Sequence, residues 1–330
     1  GGGGRSRPLP AAAAAGSGLL ALSTVGYAQI TLDGSLGPAG AVAGPSHVID
    51  STVGQIRGNN LFHSFGQFNV LTGESATFRG PFSIANILSR VTGGSSSVIQ
   101  GLIDSRTAMP TANFFLLNPS GVMIGPGAAL NVGGSFHVST ADYIRFADGA
   151  QFFARLAPAS TLTVAAPTAF GFLTASPAPV SIDGTGLGVA LAVDPGQTLS
   201  VVGGRVTVNA ATLQAPGGRV QIAAAAATGE LQIGNIGAGT VGSFGPVSVS
   251  GGSFVDATGD PGGTVMIRGG RIVIDGSTIA TGTLGDTDPA ATVGVDIRGQ
   301  EQVALSGAAV VQTVAAAGGR GGDVLIGAGS

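Results

Sequence analysis

The sequence predicts an all-β protein of the β-solenoid type, in which short strands wind into coils that stack along one axis. Three observations predict it: apolar residues recur with a period of two from Gln29 onward, glycine and proline interrupt the apolar runs, and strand-corner-strand units repeat. Because 44% of the residues are apolar, the chain can bury a core. Each coil of a solenoid buries its inward side chains only when a neighbouring coil stacks on it.

Short strands are predicted where a few residues alternate or run apolar. Such segments are 205–208, 219–222, 247–249, 265–267 and 323–326. Helices are disfavoured because only 9% of the residues are charged, and the strong helix formers Lys and Glu are absent or rare.

A glycine pair precedes several of these strands, at positions 203–204, 217–218, 262–263 and 321–322. Glycine adopts positive φ without a steric penalty. The pairs therefore predict tight corners, with positive φ, where the chain turns from one sheet to the next.

A repeat is visible in the C-terminal part. Val265, Val295 and Val324, which open strands, stand 30 and 29 residues apart. Further apolar runs between them place about three strands in each interval, which is typical of one coil of a solenoid.

A β-sandwich is the alternative fold. Its hairpins favour Asp-Gly turns, and Asp-Gly occurs at positions 33–34, 148–149, 183–184 and 275–276.

Composition excludes several classes of function. Cysteine is absent, so disulfides, thiolate metal ligands and thiol nucleophiles are excluded. A thiol-free chain also cannot cross-link while it passes through an oxidising periplasm. The net charge of -3, without a basic cluster, predicts no nucleic-acid partner.

Residues 1–28 are predicted to be a secretory leader. Arg5 and Arg7 supply a basic start, 11–22 an apolar stretch, and 26–28 a small-x-small cleavage site. The alternative is a low-complexity Ala/Gly linker.

Two stretches, 59–90 and 111–146, hold most of the Phe and Asn residues. An uncapped terminal coil would expose its apolar interior, so this density predicts a capped or decorated end of the solenoid.

Two segments match cofactor or metal-binding motifs, but the sequence around them does not suit such a site. Residues 237–242 fit G-x-G-x-x-G, but a dinucleotide site needs a helix to begin there, and a strand is predicted to follow. Residues 318–326 fit one copy of a nine-residue calcium repeat, whose sites need stacked copies. His47, His63 and His137 have no metal-ligand spacing. We expect no cofactor and no metal.

Catalytic residues are also not predicted. The densest acidic residues, Asp256, Asp260, Asp286 and Asp288, adjoin glycine and proline in loop-like sequence and are interpreted as solvated turns. The protein is therefore predicted not to be an enzyme.

Several ordered motifs resemble the secretion domain of two-partner-secretion exoproteins, the filamentous-hemagglutinin family. They are QITLDGSLG from Gln29, GNNLFHSFGQFNV from Gly58, ILSRVTGG from Ile87, NFFLLNPSGVMIGPGAAL from Asn113, GGSFHVSTADYI from Gly133 and PTAFGFL from Pro167.

The resemblance implies a right-handed parallel β-helix with an N-terminal cap and small extra-helical β elements. It implies a secretion domain over 29–200 that is followed by further coils over 201–330, and we expect the native chain to continue past Ser330. The implied partners are the Sec machinery and an outer-membrane transporter, a 16-stranded barrel with periplasmic recognition domains. The protein would be secreted through the periplasm to the surface of a Gram-negative bacterium.

A motif of the Asn-Pro-Asn-Gly-Ile type matters for secretion in that family. Here it reads Asn118, Pro119, Ser120, Gly121 and Val122, with Ser and Val in place of Asn and Ile. Proline sets φ, serine can bond its own backbone and glycine permits positive φ, so the turn chemistry is kept. The motif either forms a structural turn or contacts the transporter.

Asn59, Asn60 and Asn69 are predicted to be buried turn residues that satisfy backbone groups, with direct contact to the partner as the alternative for all three. We predict that the domain is recognised by the transporter and nucleates β-helix folding outside the cell, in the service of adhesion. The alternatives are a module that itself binds host or bacterial surface glycans, and a β-helix carbohydrate-active enzyme.

Overall fold

The computed structural model describes residues 1–4 and 29–329, and nearly all of its regular structure is β-strand. One short 3₁₀ turn, η1 (Ser51–Val53), is capped by the Asp50 side chain, which accepts a hydrogen bond from the amide of Thr52. Residues 5–28 of the predicted leader lie outside the described residues. In the part of the chain that is described, no helix has the length and apolar character needed to cross a bilayer.

The strands are short and follow one another closely. In the first half of the chain they are β1 (Ile30–Asp33), β2 (Ala39–Ala41), β3 (Ser46–Asp50), β4 (Gln55–Arg57), β5 (Asn60–Phe68), β6 (Ser75–Arg79), β7 (Asn86–Val91), β8 (Ser97–Ile99), β9 (Leu102–Asp104), β10 (Asn113–Leu117), β11 (Val122–Ile124), β12 (Ala129–Asn131), β13 (Phe136–Ser139), β14 (Tyr143–Phe146), β15 (Gln151–Phe153) and β16 (Pro167–Phe172). In the second half they are β17 (Val180–Asp183), β18 (Val189–Ala192), β19 (Thr198–Gly203), β20 (Val206–Asn209), β21 (Ala211–Gln214), β22 (Arg219–Ala224), β23 (Gly229–Gln232), β24 (Asn235–Gly239), β25 (Val247–Ser250), β26 (Phe254–Asp256), β27 (Thr264–Asp275), β28 (Thr278–Thr283), β29 (Val293–Ser306), β30 (Val310–Ala315) and β31 (Asp323–Ala328).

The coils form a parallel β-helix with three faces, as the all-β solenoid prediction required. Face 1 contains β5, β7, β10, β13, β19, β22, the first halves of β27 and β29, and β31. Face 2 contains β8, β11, β17, β20, β25 and the second halves of β27 and β29. Face 3 consists of two successive sheets, β3-β6-β9-β12 and β18-β21-β26-β28-β30.

The core is built from side chains that occupy the same position in successive coils. One inward column on face 1 is Leu61, Ile87, Phe114, Phe136, Leu199, Val220, Val265 and Val295, all of them buried. Each such side chain contributes about 1.5–3 kcal/mol when it is buried. The predicted repeat of Val265, Val295 and Val324 is confirmed, because these three residues pair directly across neighbouring coils.

The N-terminal end of the helix is capped, as the aromatic-rich sequence predicted. Strands β1 and β4 pair antiparallel with β5, and β2 pairs antiparallel with β1. These strands cover the open edge of the first face-1 strand, which would otherwise present unpaired backbone groups.

An extra-helical sheet lies on the outer side of face 1. It is antiparallel, with strand order β15-β14-β16-β23-β24, and its strands come from two excursions of the chain, one before β17 and one before β25. A second core fills the space between this sheet and face 1; its main members are Phe62, Leu88, Phe115, Leu117, Ile144, Phe146, Phe152, Phe170, Phe172, Val202 and Leu231.

The glycine pairs do stand at corners, but the predicted reason was wrong. Among the paired glycines only Gly217 has a positive φ, of 61°. At most of the others the requirement is space: a Cβ on Gly204 would lie 1.8 Å from the carbonyl oxygen of Pro177, whereas a Cβ on Gly321 would have nothing closer than 3.4 Å. Neighbouring coils therefore approach so closely at the corners that no side chain fits.

The Asp-Gly dipeptides divide into two groups. Asp33-Gly34 joins the antiparallel strands β1 and β2, and Asp148-Gly149 joins β14 and β15, so both are hairpin turns. The other two Asp-Gly dipeptides lie at corners of the parallel coils.

The predicted domain boundary near residue 200 stays a prediction. The stack of parallel strands runs through it, from β13 to β19 and β22.

Candidate functional site

An asparagine ladder runs along the start of face 1. Asn86 Nδ2 donates to Oδ1 of Asn60 at 2.8 Å, and Asn113 Nδ2 donates to Oδ1 of Asn86 at 3.0 Å. Asn113 Oδ1 accepts from the amide of Ser135 at 2.9 Å. The ladder thus pairs the polar groups that occupy the equivalent position in each of four successive coils. An unpaired buried amide at this position would lower the stability of the fold.

Asn60 also connects the helix to the extra-helical sheet. Its Nδ2 donates to the carbonyl oxygens of Thr163 and Ala165, at 2.9 and 2.7 Å, in the loop before β16. Asn69 is buried as well, and its Oδ1 accepts from the amide of Val98 at 2.8 Å. Asn59 departs from the prediction, because its side chain is exposed at the tip of the turn between β4 and β5. Its backbone carbonyl oxygen accepts hydrogen bonds from the amides of Ala85 and Asn86.

Asn118 forms the turn between faces 1 and 2. Its side chain is fully buried, and Oδ1 accepts from the amide of Ser120 at 2.9 Å. Nδ2 donates to the carbonyl oxygen of Ser95 at 2.9 Å and to Oγ of Ser97 at 3.0 Å, both in the preceding coil. The Asn118 side chain therefore shapes its own turn and joins that turn to the coil below.

The rest of the motif divides by exposure. Gly121 has a φ of 116°, which only glycine adopts readily, and its amide donates to the carbonyl oxygen of Asn118. Val122 is buried and begins the strand on face 2. Pro119 and Ser120 are half-buried at the surface.

A small cleft separates this turn from the extra-helical elements. Pro119 and Ser120 lie on one side, Ala154 and Arg155 on the other, and the enclosed volume is about 140 Å³. Arg155 is fixed there by an ion pair with the buried Asp142, 3.0 Å from NH2 to Oδ1. The turn and a fixed cation therefore share one surface.

Arg90 connects three parts of the fold beneath this surface. The residue is only 4% exposed. Its guanidinium donates to Oγ of Ser64 in the first coil and Ser35 in the cap, and to Phe153 O and Ser160 Oγ beside the extra-helical sheet.

Asp33 completes this network. Its Oδ2 accepts from Oγ of Ser64 at 2.5 Å and from Oγ1 of Thr92 at 2.7 Å. Burial alone would raise the pKa of the Asp33 carboxyl, but hydrogen bonds from Ser64, Ser35 and Thr92 together outweigh it and hold that pKa below its ordinary value.

The structure does not bring the predicted site residues into one cluster. Asn59 and Asn60 stand at the start of the face-1 strands and the 118–122 turn follows their end, so the length of a strand separates the two groups. Both adjoin the 154–166 segment, through Asn60 at one end and through the cleft at the other. Sequence reasoning missed Asn86, Asn113 and Arg90; the spacing of the asparagines and an arginine inside the apolar run ILSRV were the available signals.

Three of the four acidic residues considered as catalytic candidates have structural partners. Asp256 accepts from the amide of Thr258, Asp286 accepts from the amide of Gly318, and Asp288 binds Arg320. Within residues 1–4 and 29–329, no three His, Asp or Glu side chains converge on a possible metal position. The G-x-G-x-x-G segment lies in β24 and the loop after it, where no helix begins.

Comparison with known proteins gives one family. A family model described as the TPS secretion domain matches residues 28–260, which is more than half of the chain. No curated protein matches the sequence.

Proposed function

Because the chain belongs to the TPS secretion domain family, we propose that its partner transporter recognises the surface formed by the 118–122 turn, Asn59 and the extra-helical segment between them. The protein is the secretion domain of a two-partner-secretion exoprotein, and it is exported across the outer membrane with the help of that transporter. The leader directs the chain to the Sec machinery and the periplasm first.

The division between buried and exposed residues supports this assignment. Asn60 and Asn118 are buried, and all their side-chain bonds are internal, so they give the surface its shape. Asn59, Pro119 and Ser120 are accessible and lie on the two sides of the 154–166 segment, where a partner can touch them. The half-buried Pro119-Ser120 edge at the surface, presented by a fully buried Asn118, is the observation that carries the proposal.

Folding of the coils outside the cell supplies the direction of transport. Where no extra-helical strands intervene, successive face-1 strands begin 21 to 30 residues apart, for example from Thr198 to Arg219 and from Val265 to Val295. At about 0.05–0.15 kcal/mol per residue, one coil contributes on the order of 1–4 kcal/mol, which is several times thermal energy. Each coil that forms therefore opposes the return of the chain into the transporter.

The test separates recognition from folding. Ser120→Arg places a bulky cation on the proposed contact surface next to Arg155, and Ser248→Arg places the same change on the outer side of face 2, far along the helix. Asn118→Ala removes the internal bonds of the turn. Secretion of each variant through the co-expressed transporter and the unfolding midpoint of each purified protein are measured side by side.

Recognition at this surface requires that Ser120→Arg reduces secretion at least about tenfold while its unfolding midpoint stays near that of Ser248→Arg, which is secreted normally. Asn118→Ala should lower both secretion and the midpoint, because three buried hydrogen bonds are lost. Normal secretion of Ser120→Arg, with reduced adhesion of cells that display it, would instead assign the turn to adhesion and overturn the proposal.

A further inference from the structure

A second cleft lies on the outer side of face 1, beyond the end of the extra-helical sheet. Its volume is about 230 Å³. Arg219, Gln221, Thr264 and Met266, from β22 and β27, lie at its base. The turn between β23 and β24 and the loop before β29, which contributes Ala291, form its walls. None of these residues belongs to the surface proposed for transporter recognition.

Gln221 contributes to this cleft an amide of which only the oxygen is paired. The residue is 1% exposed, and its Oε1 accepts a hydrogen bond from Oγ of Ser200 in the preceding coil, at 3.0 Å. In the described part of the chain, Nε2 has no hydrogen-bond partner. An unpaired buried donor is costly, so a ligand acceptor that Nε2 reaches by a small rotation of the terminal amide would relieve that cost.

Arg219 contributes an unpaired cation. Its guanidinium makes one long hydrogen bond, 3.3 Å from NH1 to the carbonyl oxygen of Gly234, and no carboxylate lies within ion-pair distance of it among residues 29–329. The acidic residue of the cleft, Asp296, is already held by Arg268 at 2.6 Å and Arg298 at 2.8 Å. The electrostatic potential of the cleft therefore favours an anion.

The remaining lining groups suit a sugar ring. Thr264 supplies a hydroxyl and Asn235 an amide, while Met266, Ala291 and Val293 supply apolar surface. A cleft smaller than the roughly 300–1,000 Å³ of drug-sized pockets accommodates a single ring. Hydroxyl groups of a sugar would pair with the amides, and its C–H faces would cover the apolar side chains.

We infer that this cleft binds an acidic saccharide, with the carboxylate of one uronic acid residue placed between Arg219 and Gln221. The cleft is open, and a neighbouring cleft of about 210 Å³ that shares Arg219, Thr264 and Ala291 with it continues along the chain corner, where the next residue of a polysaccharide would lie. The site is independent of transporter recognition: either proposal can fail while the other holds.

The experiment uses the purified chain and three probes at constant ionic strength. Glucuronate carries both ring and carboxylate, glucose carries the ring alone, and N-acetyl-aspartate amide carries a carboxylate on a peptide group. Binding is followed by calorimetry and by NMR shifts of the residues around the cleft. We expect saturable binding of glucuronate, at least about tenfold tighter than that of either other probe, since loss of a charged hydrogen bond costs that much.

Variants locate the binding. Arg219→Gln removes the cation and should weaken glucuronate binding at least about tenfold, whereas Arg271→Gln, which removes an exposed cation outside the cleft, should leave it unchanged. Ala291→Phe fills the cleft without removing a polar group and should abolish binding. Because Ala291 and Arg219 are exposed, both variants should fold, which their unfolding midpoints verify.

Four results overturn the inference. Absence of saturable glucuronate binding removes the site. Equal binding of glucose shows that the cleft does not select a carboxylate, and equal binding of N-acetyl-aspartate amide assigns it to an acidic peptide instead. Binding that is unchanged in both Arg219→Gln and Ala291→Phe places the saccharide elsewhere on the protein.

Discussion

His137 stacks on Phe115 of the preceding coil, with ring centroids 4.4 Å apart and planes inclined by 13°. Its Nδ1 lies 3.0 Å from Oγ of Ser200 in the next coil. The extra-helical sheet covers this histidine, with Phe170 nearby. Burial lowers the pKa of His137 to about 3, and burial likewise lowers the pKa of His63 in the inner core to about 4.

These two histidines predict that acid destabilises the fold. In the unfolded chain a histidine takes up a proton near its ordinary pKa of 6.5, whereas the folded protein keeps both rings neutral. Stability is therefore fully present above pH 6.5 and falls as the pH decreases towards 4. Each histidine contributes a loss of about 2 kcal/mol between pH 7 and pH 5.

Urea unfolding at pH 7, 6 and 5 measures this loss. Most carboxylates titrate below that range. His137→Leu should therefore reduce the loss of unfolding free energy between pH 7 and pH 5 by about the contribution of one histidine. An unfolding midpoint that does not change between pH 7 and pH 5 in the unmodified protein would show that the two rings are not buried.

Asn86 is the central member of the asparagine ladder. Asn86→Ala leaves Oδ1 of Asn60 and Nδ2 of Asn113 without their partner, and we expect a loss of about 1–3 kcal/mol in the free energy of unfolding. Asn235→Ala is the control, because this exposed side chain bonds only the nearby amide of Gly237. Chemical denaturation compares the two, and equal midpoints would rule out a stabilising ladder.

Arg90 tests the connection between cap, helix and extra-helical sheet. Arg90→Lys keeps the charge but cannot donate in the planar pattern that reaches Ser64, Ser35, Ser160 and the Phe153 carbonyl. We expect a loss of about 2–3 kcal/mol, seen as a lower melting temperature, with the exposed Arg57→Lys unchanged. If Arg90→Lys has the same melting temperature as the unmodified protein, a positive charge alone is sufficient for stability at this position.

Gly204 tests the close approach of the coils. Gly204→Ala would place Cβ 1.8 Å from the carbonyl oxygen of Pro177, so the coils must separate at this corner. We expect the free energy of unfolding to fall by at least about 1–3 kcal/mol. Gly242→Ala is the matched control, since nothing lies within 4 Å of its Cβ position. Calorimetry compares the unfolding of the two variants. Equal melting temperatures would show that the coils can separate at this corner without loss of stability.

The inner core of the fold was predictable because it repeats. Val265, Val295 and Val324 recur at nearly constant spacing, since each occupies the same place in its coil. The glycine corners were located correctly for the same reason. Their cause was not predictable, because the carbonyl oxygen that excludes a side chain belongs to another coil and leaves no trace in the local sequence.

The candidate site was predictable only in part. Motif resemblance located Asn118 and its turn, whereas the division into a buried asparagine and an accessible Pro119-Ser120 edge required the fold. Arg90 was missed because its partners come from the cap, the first coil and the extra-helical segment, up to 70 residues away in sequence. Periodicity reports which side of a strand is buried and carries no information about such distant partners.

The extra-helical sheet imposes an order on assembly when the chain emerges from its N-terminus first. Strands β14 to β16 arrive early and shelter Phe62, Leu88 and Phe115, but β16 waits for its neighbour β23 until more than fifty further residues have appeared. During that interval the backbone groups along one edge of β16 have no strand partner; β23 then pairs with that edge, and the Tyr143 hydroxyl donates to Glu230 of β23. An open strand edge can pair with other chains, so the emerging domain is prone to aggregation until β23 has formed.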